Sequence, residues 1–502
     1  MTSALKRRRG ASSSRGDDHI RTIISLVLFI AGAFLLAIIV LASRLGEVAE
    51  EGNGGIATKT TKASDAAEVA DLLLAHQPEY NSLLRGGGGG DEIDDDDVAS
   101  SSRRLHFPPL PPHLMAEEIY GESVIDGLLY NDDPTMAGLV AVMQRFLASL
   151  GQLLIDNRDA PTPQVVLEGY FDVVDEVLGP LESAYRGRLV FPLREDDSIF
   201  MSMGAYREHL LGETLRQAYG NARDPDLLFV GAVVQNCFGI DTTCRTGVEV
   251  KGTDENGYPI TEVSDRPPDA NGIEEFCTDP RYSRHCDEGR IRVLYVNETE
   301  SNGPTTARYL ASRLWGGETH YMQGDSHLRF APSWDRLYKE ELRLAGSYPK
   351  AILSSYPAAF KQDDPPYLGG TKAPRLCTCE FPDDEGMHSM IRINTGNDCK
   401  EDVGAPTQIA YIAGGFFFAR SEFLTEVPFD PFLPWIFMGE EIALSLRAYT
   451  SGWYAYAPRK DWIAHQYRPG NMGLPKFWEN TARVFGGRGG FDNDVSELRI
   501  LI

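Results

Sequence analysis

Residues Thr22 to Ser43 form one run of 22 residues without a charge, TIISLVLFIAGAFLLAIIVLAS. As a helix this run measures about 33 Å at ~1.5 Å per residue, enough to cross a hydrocarbon core of roughly 30 Å. A cleaved signal peptide carries a shorter apolar stretch, about 7–15 residues, and a helix that is apolar all round is hard to place in a soluble core. Lys6, Arg7, Arg8, Arg9, Arg15 and Arg21 precede the run against Asp17 and Asp18; Arg44 follows it, then Glu47, Glu50 and Glu51. The basic side stays in the cytosol. The expected topology is therefore type II: a cytoplasmic tail over residues 1–21, a single transmembrane signal-anchor over 22–43, and the rest of the chain in a lumen.

Cysteine usage fits an oxidising lumen. All seven, Cys237, Cys244, Cys277, Cys286, Cys377, Cys379 and Cys399, lie after the anchor, and six could pair, leaving one free. The sequon Asn297-Glu298-Thr299 is permissive only. Against 48 basic residues stand 73 acidic ones, net charge −25. That argues against a nucleic-acid-binding protein, which needs a basic face toward phosphates. It leaves a nucleotide-sugar enzyme open, because one metal ion supplies positive charge locally. The 502 residues allow about three domains, or one large catalytic domain with appendages.

Residues 44–106 read as a disordered stem. They hold five consecutive glycines, Gly86 to Gly90, then Asp91, Glu92 and Asp94 to Asp97; glycine runs are flexible and like charges repel. The proline-rich FPPLPP at 107–112 opens a helical segment over 107–190, in which Leu139, Val142, Met143, Phe146, Leu147 and Leu150 recur at helical spacing. A second apolar stripe runs from Val165 to Leu178. These are packing faces with no chemistry of their own.

The character changes over 191–495. Asp197 to Gly204 reads as a strand, Tyr206 to Tyr219 as a helix, and Leu227 to Val234 as a strand buried on both faces. Ile291 to Val296 is a third strand, Gly303 to Leu314 a helix, and Thr319 to Gln323 a fourth strand. This order predicts an α/β sheet with right-handed crossovers. Ligands in such sheets sit beyond the carboxyl ends of the strands.

The fourth strand runs into Gly324-Asp325-Ser326-His327. In an extended segment the side chains of Asp325 and His327 point the same way and could share a cation. One carboxylate with imidazole suits Mn²⁺ or Mg²⁺ completed by phosphate oxygens. A turn-forming aspartate beside an ordinary histidine gives the same pattern. Gly414 and Gly415 let the backbone approach a ligand closely; Glu440 and Glu441 open a helix after Gly439, where carboxylates also suit the helix dipole. His465 follows a short apolar stretch and either completes a metal site or simply packs at a strand end.

With these blocks in view, a resemblance emerges. The stretch Gly303-Pro304…Ala307-Arg308 and the run GETHYMQGDSHLRFAPSWD (Gly317 to Asp335) resemble the GlcNAc-transferase family that modifies hydroxyproline on protein acceptors. So do FMGEEIALSLRAYTSGW (Phe437 to Trp453), HQYRP (His465 to Pro469), DSIFMSMGAYRE (Asp197 to Glu208) and LLFVGAVVQN (Leu227 to Asn236), in the same order. The resemblance covers about Ile199 to Phe485. That family is similar to the mucin-type polypeptide N-acetylgalactosaminyltransferases, which also carry a D-x-H motif and a Gly-Glu-rich block.

The resemblance implies a GT-A type nucleotide-sugar-binding α/β domain and a retaining transfer from a UDP-sugar, foremost UDP-N-acetylglucosamine, to a hydroxyl on a protein or glycan, hydroxyproline included. Asp325, His327 and His465 would hold Mn²⁺, or Mg²⁺. Ser202, Tyr206 and Arg207 would line the uridine site, Arg308 would lie near the donor, and Gly414 and Gly415 would flank the sugar pocket. Glu440 or Glu441 would contact sugar or acceptor hydroxyls. The hydroxyproline-modifying members are soluble and cytosolic, whereas the anchor expected here places the enzyme in the Golgi or endoplasmic reticulum with secretory-pathway acceptors. Met201 to Gly204 is a variant of the family's first-strand ending. The stretch Gly247 to Ile273, rich in Asp, Gly and Pro, is expected to be a surface loop. Cys377-Thr-Cys379 with Cys399 lacks four-ligand zinc spacing, so disulfide is favoured. The alternative is a degenerate transferase domain that binds glycans or scaffolds a partner without turnover. A two-metal phosphoester hydrolase would need more ligands at usable spacing than ten histidines provide here.

Overall fold

The computed structural model describes residues 122–157, 163–238, 244–253, 259–380, 391–395, 399–437 and 439–467. The expected tail, anchor and stem, and everything from Arg468 onward, lie outside the described residues.

Strand β1 (Ile199–Tyr206) and β2 (Leu228–Asn236) come first. Strands β3 (Cys244–Thr253) and β4 (Pro259–Arg266) pair antiparallel. The stretch read as a loop is thus mostly a hairpin: the β-branched alternation of Val248 and Val250, answered by Thr261 and Val263, is a strand signal that the surrounding Gly, Asp and Pro obscure. Strands β5 (Ile291–Asn297), β6 (His320–Gly324), β7 (Leu328–Phe330), β8 (Ala351–Ser354) and β9 (Ala358–Ala359) follow. Then come β10 (Thr378–Glu380), β11 (Arg392–Asn394), β12 (Thr407–Ile409), β13 (Phe416–Arg420), β14 (Tyr454–Ala457) and β15 (Ile463–His465).

Eight strands make one mixed sheet in the order β12-β14-β8-β13-β6-β1-β2-β5. The run β6-β1-β2-β5 is parallel. Strand β13 runs antiparallel to both β6 and β8. A smaller sheet, β7-β15-β9, lies at the edge of the site.

Alternation along the strands divides the core between two faces. Phe200, Tyr321 and Phe417 join one cluster with the N-terminal helices. Met201, Met322, Phe416 and Phe418 join the other with the helices Leu211–Asn221 and Trp334–Leu344. The helix Met136–Asp156 starts at Thr135, whose hydroxyl accepts the Gly138 N–H at 3.0 Å, a side-chain cap. By length and composition this helix could cross a membrane, yet Leu139, Val142, Met143, Phe146 and Leu150 are buried inside protein. Each such side chain contributes up to about 1.5–3 kcal/mol, so the segment is part of the same core as the sheet. Tyr170 extends the contact, its ring tilted against Trp435 at 5.6 Å and its hydroxyl donating to the Pro431 carbonyl at 2.8 Å.

Three disulfides form, Cys237–Cys244, Cys277–Cys286 and Cys377–Cys399, and Cys379 is exposed and unbridged.

Candidate active site

Strand β6 ends at Gly324, and the chain then bends at Ser326 and His327 before β7. The convergence of Asp325 and His327 therefore comes from a bend and not from the extended segment expected. The Ser326 hydroxyl donates to the Gly204 carbonyl on β1 at 3.3 Å and pins the bend to the sheet. Strand β15 pairs with β7 so that His465 lies opposite Leu328, and the Gln466 N–H donates to the His327 carbonyl at 3.1 Å. This ladder carries His465 across 138 positions of sequence to His327; the ring centroids are 4.7 Å apart.

One ligand atom from each of Asp325, His327 and His465 lies within 4.8 Å of the others. His465 Nε2 is 3.0 Å from Asp325 Oδ2 and His327 Nε2 is 3.9 Å from it. Burial alone would raise the Asp325 carboxyl. The hydrogen bond from His465 and the charges of His327, His465 and Arg308 overcome it and hold the group well below the usual carboxylate range. A persistent carboxylate with two imidazoles is a donor set that fits a divalent cation.

Asp325 and His465 open onto a cavity of about 400 Å³, whose lining also includes Arg308, Gly414, Gly415, Glu440 and Glu441. Two glycines are needed at that wall. A Cβ on Gly415 would meet Asp325 Oδ2 at 2.8 Å, and one on Gly414 would meet Arg308 Nη1 at 3.0 Å. The antiparallel pairing of β13 with β6 sets Phe416 opposite Gly324, and the Asp325 N–H donates to the Gly415 carbonyl at 3.0 Å. The close approach these glycines permit is thus first to Asp325 and Arg308.

The adjacent carboxylates Glu440 and Glu441 differ. They open the helix Glu440–Thr450 behind Gly439, whose φ of 86° suits glycine. Glu440 Oε2 pairs with Arg308 Nη1, while its buried Oε1 accepts no hydrogen bond among the described residues. Glu441 has both oxygens engaged: Oε1 accepts the Gly414 N–H at 2.7 Å and Oε2 the Tyr356 hydroxyl at 2.8 Å. Burial pushes the Glu441 carboxyl up against these two bonds. Arg308 also reaches Asp325 Oδ1 at 3.3 Å. Despite the burial that opposes its charge, the paired carboxylates keep its pKa above the ordinary value.

The three residues read as nucleotide contacts separate. Ser202 is wholly buried within β1, between Gly231 and Gln323 of the neighbouring strands, so the structure does not bring it to the cavity. Tyr206 and Arg207 stand at the carboxyl end of β1. Arg207 adopts φ 47° and is held by Asp269 at 2.7 and 2.8 Å, and its Nη1 has no hydrogen-bond partner among the described residues.

Sequence reasoning did not single out Glu208, Tyr356, Phe437 or Tyr467. Glu208 is buried, with Oε2 2.8 Å from His327 Nδ1. Its signal was its place at the end of the block Asp197 to Glu208, one residue after Arg207. Tyr356, Phe437 and Tyr467 give the cavity an aromatic wall; aromatics outside a periodic stripe give no such signal. Arg392 and Glu380, on the β10–β11 pair, add charges of both signs to the lining.

The model of the family described as "Glycosyltransferase (GlcNAc)" matches residues 198–502. Among solved structures the chain is similar to "Crystal structure of GalNAc-T7 with UDP, GalNAc and Mn2+", at 15% identity and a TM-score of 0.37, over 57% of this chain and 47% of that one. The chain thus spans about half the length of that structure. No curated protein matches the sequence.

Proposed function

Since the chain belongs to the GlcNAc glycosyltransferase family and is thereby a glycosyltransferase, we propose that it is a GT-A enzyme using UDP-N-acetylglucosamine with Mn²⁺ or Mg²⁺. It transfers the sugar, with retention at the anomeric carbon, to a hydroxyl on a protein or glycan. The observation that carries this reading is the Asp325, His327 and His465 cluster at the rim of the cavity. The type II topology expected from residues 1–43 supports work in the Golgi or endoplasmic reticulum lumen, with a secretory-pathway acceptor that includes hydroxyproline among its candidates.

Asp325, His327 and His465 would hold a divalent cation, which when bound would supply positive charge to the departing diphosphate. The protein's own groups divide the remaining work. Arg308 keeps Asp325 ionised and holds Glu440. Glu440 lines the cavity where a sugar or acceptor hydroxyl would sit, whereas Glu441 fixes the Gly414 turn. The aromatic wall takes the apolar face of a sugar ring. The bond from the anomeric carbon to the diphosphate breaks, the acceptor oxygen bonds on the same face, and its proton passes to a diphosphate oxygen. No side-chain nucleophile is required.

The test is UDP release from a panel of UDP-sugars, with Mn²⁺ and with chelator, on the full chain and on Asp325→Ala and His465→Ala. Chelator-sensitive release from UDP-N-acetylglucosamine, falling about 10³-fold or more in Asp325→Ala, is the expected outcome. Undiminished turnover in both folded variants would remove the metal assignment, and preference for another sugar would remove the donor.

A further inference from the structure

We infer that Glu208 is the positioning residue that fixes the ring tautomer and direction of His327, and so presets the cation site before any nucleotide arrives. The inference rests on the metal reading of Asp325, His327 and His465.

Glu208 is the second residue after β1, and its side chain is 2% exposed. Both carboxylate oxygens have work. Oε2 lies 2.8 Å from His327 Nδ1. Oε1 accepts the Leu210 N–H at 2.8 Å, just ahead of the helix Leu211–Asn221. A carboxylate bound at both ends cannot swing, so its direction is set by backbone. A carboxylate only accepts; Nδ1 must therefore carry the proton that bonds it. In a neutral ring that leaves the lone pair on Nε2, the atom that faces Asp325 Oδ2. The main chain of His327 is fixed as well, by the Gln466 N–H and by the β7–β15 ladder. With backbone, ring direction and tautomer all set, Nε2 is offered without reorganisation. Outer carboxylates of this kind typically govern 10- to 100-fold in metal affinity.

The carboxylate comes from the turn that leaves β1, which the sequence reading assigned to nucleotide contact alone. Strand β1 pairs with β6 through Ser202 opposite Gln323 and continues to Tyr206, so the residues that leave its carboxyl end reach the bend after β6.

The test measures Mn²⁺ affinity of the full chain without nucleotide or sugar, by electron paramagnetic resonance of free Mn²⁺, with the visible spectrum of the Co²⁺ form as a second readout. Glu208→Leu is expected to weaken Mn²⁺ binding 10- to 100-fold and to shift the Co²⁺ spectrum. Glu208→Gln, which keeps an oxygen for the Nδ1 proton, should recover part of the loss. Since Glu208 also holds the Leu210 N–H, thermal melting checks that each variant is folded; if Glu208→Leu is not, Glu208→Gln carries the comparison. The decisive arm is a double-mutant cycle. In a His327→Ala background, replacing Glu208 should cost no further affinity. A full additional loss there, or wild-type affinity and spectrum in Glu208→Leu, would overturn the inference. Failure of the unaltered chain to bind Mn²⁺ at all would instead overturn the metal reading on which it rests.

Discussion

The two halves of the large sheet serve the cavity in different ways. The parallel half, β6-β1-β2-β5, presents strand carboxyl ends, and from them come Asp325, Arg207 and Glu208. In the other half β13 runs the opposite way to β6 and β8, so it meets the same rim with a strand beginning, Gly414 and Gly415. The helix starting at Glu440 sits behind that turn through Glu441 and Ser445, which bond the Gly414 and Ile412 N–H groups. The first half therefore supplies charged side chains from turns that a parallel sheet always exposes. The second supplies room, by omitting side chains, and one rigid backbone wall. Arg308 joins the halves, bound to Asp325 on one side and Glu440 on the other.

That division can be broken at its joint first. Arg308→Leu leaves Glu440 and Asp325 without their shared cation in a partly dry site, and one-sided loss of a buried pair costs about 3–5 kcal/mol; chemical denaturation should show a loss of that order. Unchanged stability would mean that the carboxylates are solvated and that the halves are not coupled through Arg308. Gly415→Ala adds a methyl group 2.8 Å from Asp325 Oδ2. It should weaken Mn²⁺ binding about 10-fold or more while leaving the melting temperature within a few degrees. Equal Mn²⁺ affinity would show that the wall has slack.

Smaller effects sharpen the contrast. On the parallel side, Asp269→Asn weakens the two-pronged hold on Arg207 but keeps the acceptor for the Cys237 N–H. A stability loss of about 1–3 kcal/mol and weaker UDP binding in calorimetry are expected, with Mn²⁺ affinity unchanged; a fall in Mn²⁺ affinity would show the two parts of the rim acting as one. On the other side, Asp461 lies wholly buried in the link between β14 and β15. It accepts the Ser355 hydroxyl at 2.7 Å, and its Oδ2 has no hydrogen-bond partner among the described residues. Burial, against hydrogen bonds from Ser355 and the Ala358 backbone, pushes its pKa up from 3.8 to about 7. The folded state thus favours the protonated acid: stability linked to this group is full below about pH 4 and is lost as pH rises through about 7. Asp461→Asn should be the more stable protein above pH 7, by about 1–3 kcal/mol, with the gap closing toward pH 4. A gap independent of pH would show that Asp461 does not titrate in this range.

The contrast also sorts what could be read in advance. A continuous apolar run marked β2, as a strand buried on both faces requires, and β1, β5 and β6 were legible to within a few residues. The short strands of the other half, such as β8 with four residues and β12 with three, carry too little pattern to declare a direction. The hairpin β3–β4 was hidden for a related reason: turn-forming residues between its strands outweighed a brief β-branched alternation. Ser202 shows the converse. Its motif position suggested a nucleotide contact, but the side chain is buried in the sheet core and does not reach the cavity, and a single step along a strand decides which face a side chain meets.

Residue type and order alone determined that the chain can hold an uncharged membrane-length run, a parallel α/β unit, and candidate ligands at Asp325, His327 and His465. Those follow from hydropathy and from the chemistry of carboxylate and imidazole, which travel with the residue. Only the tertiary structure decided that a bend directs Asp325 and His327 together and that the β7–β15 ladder brings His465 to them. It likewise decided that Glu208 sets one ring and that Glu440, unlike Glu441, keeps an oxygen unengaged. The reason is physical: a side chain's type fixes what it can bond, but only the packing of strands distant in sequence fixes which partners lie within 3 Å, and that distance decides the chemistry.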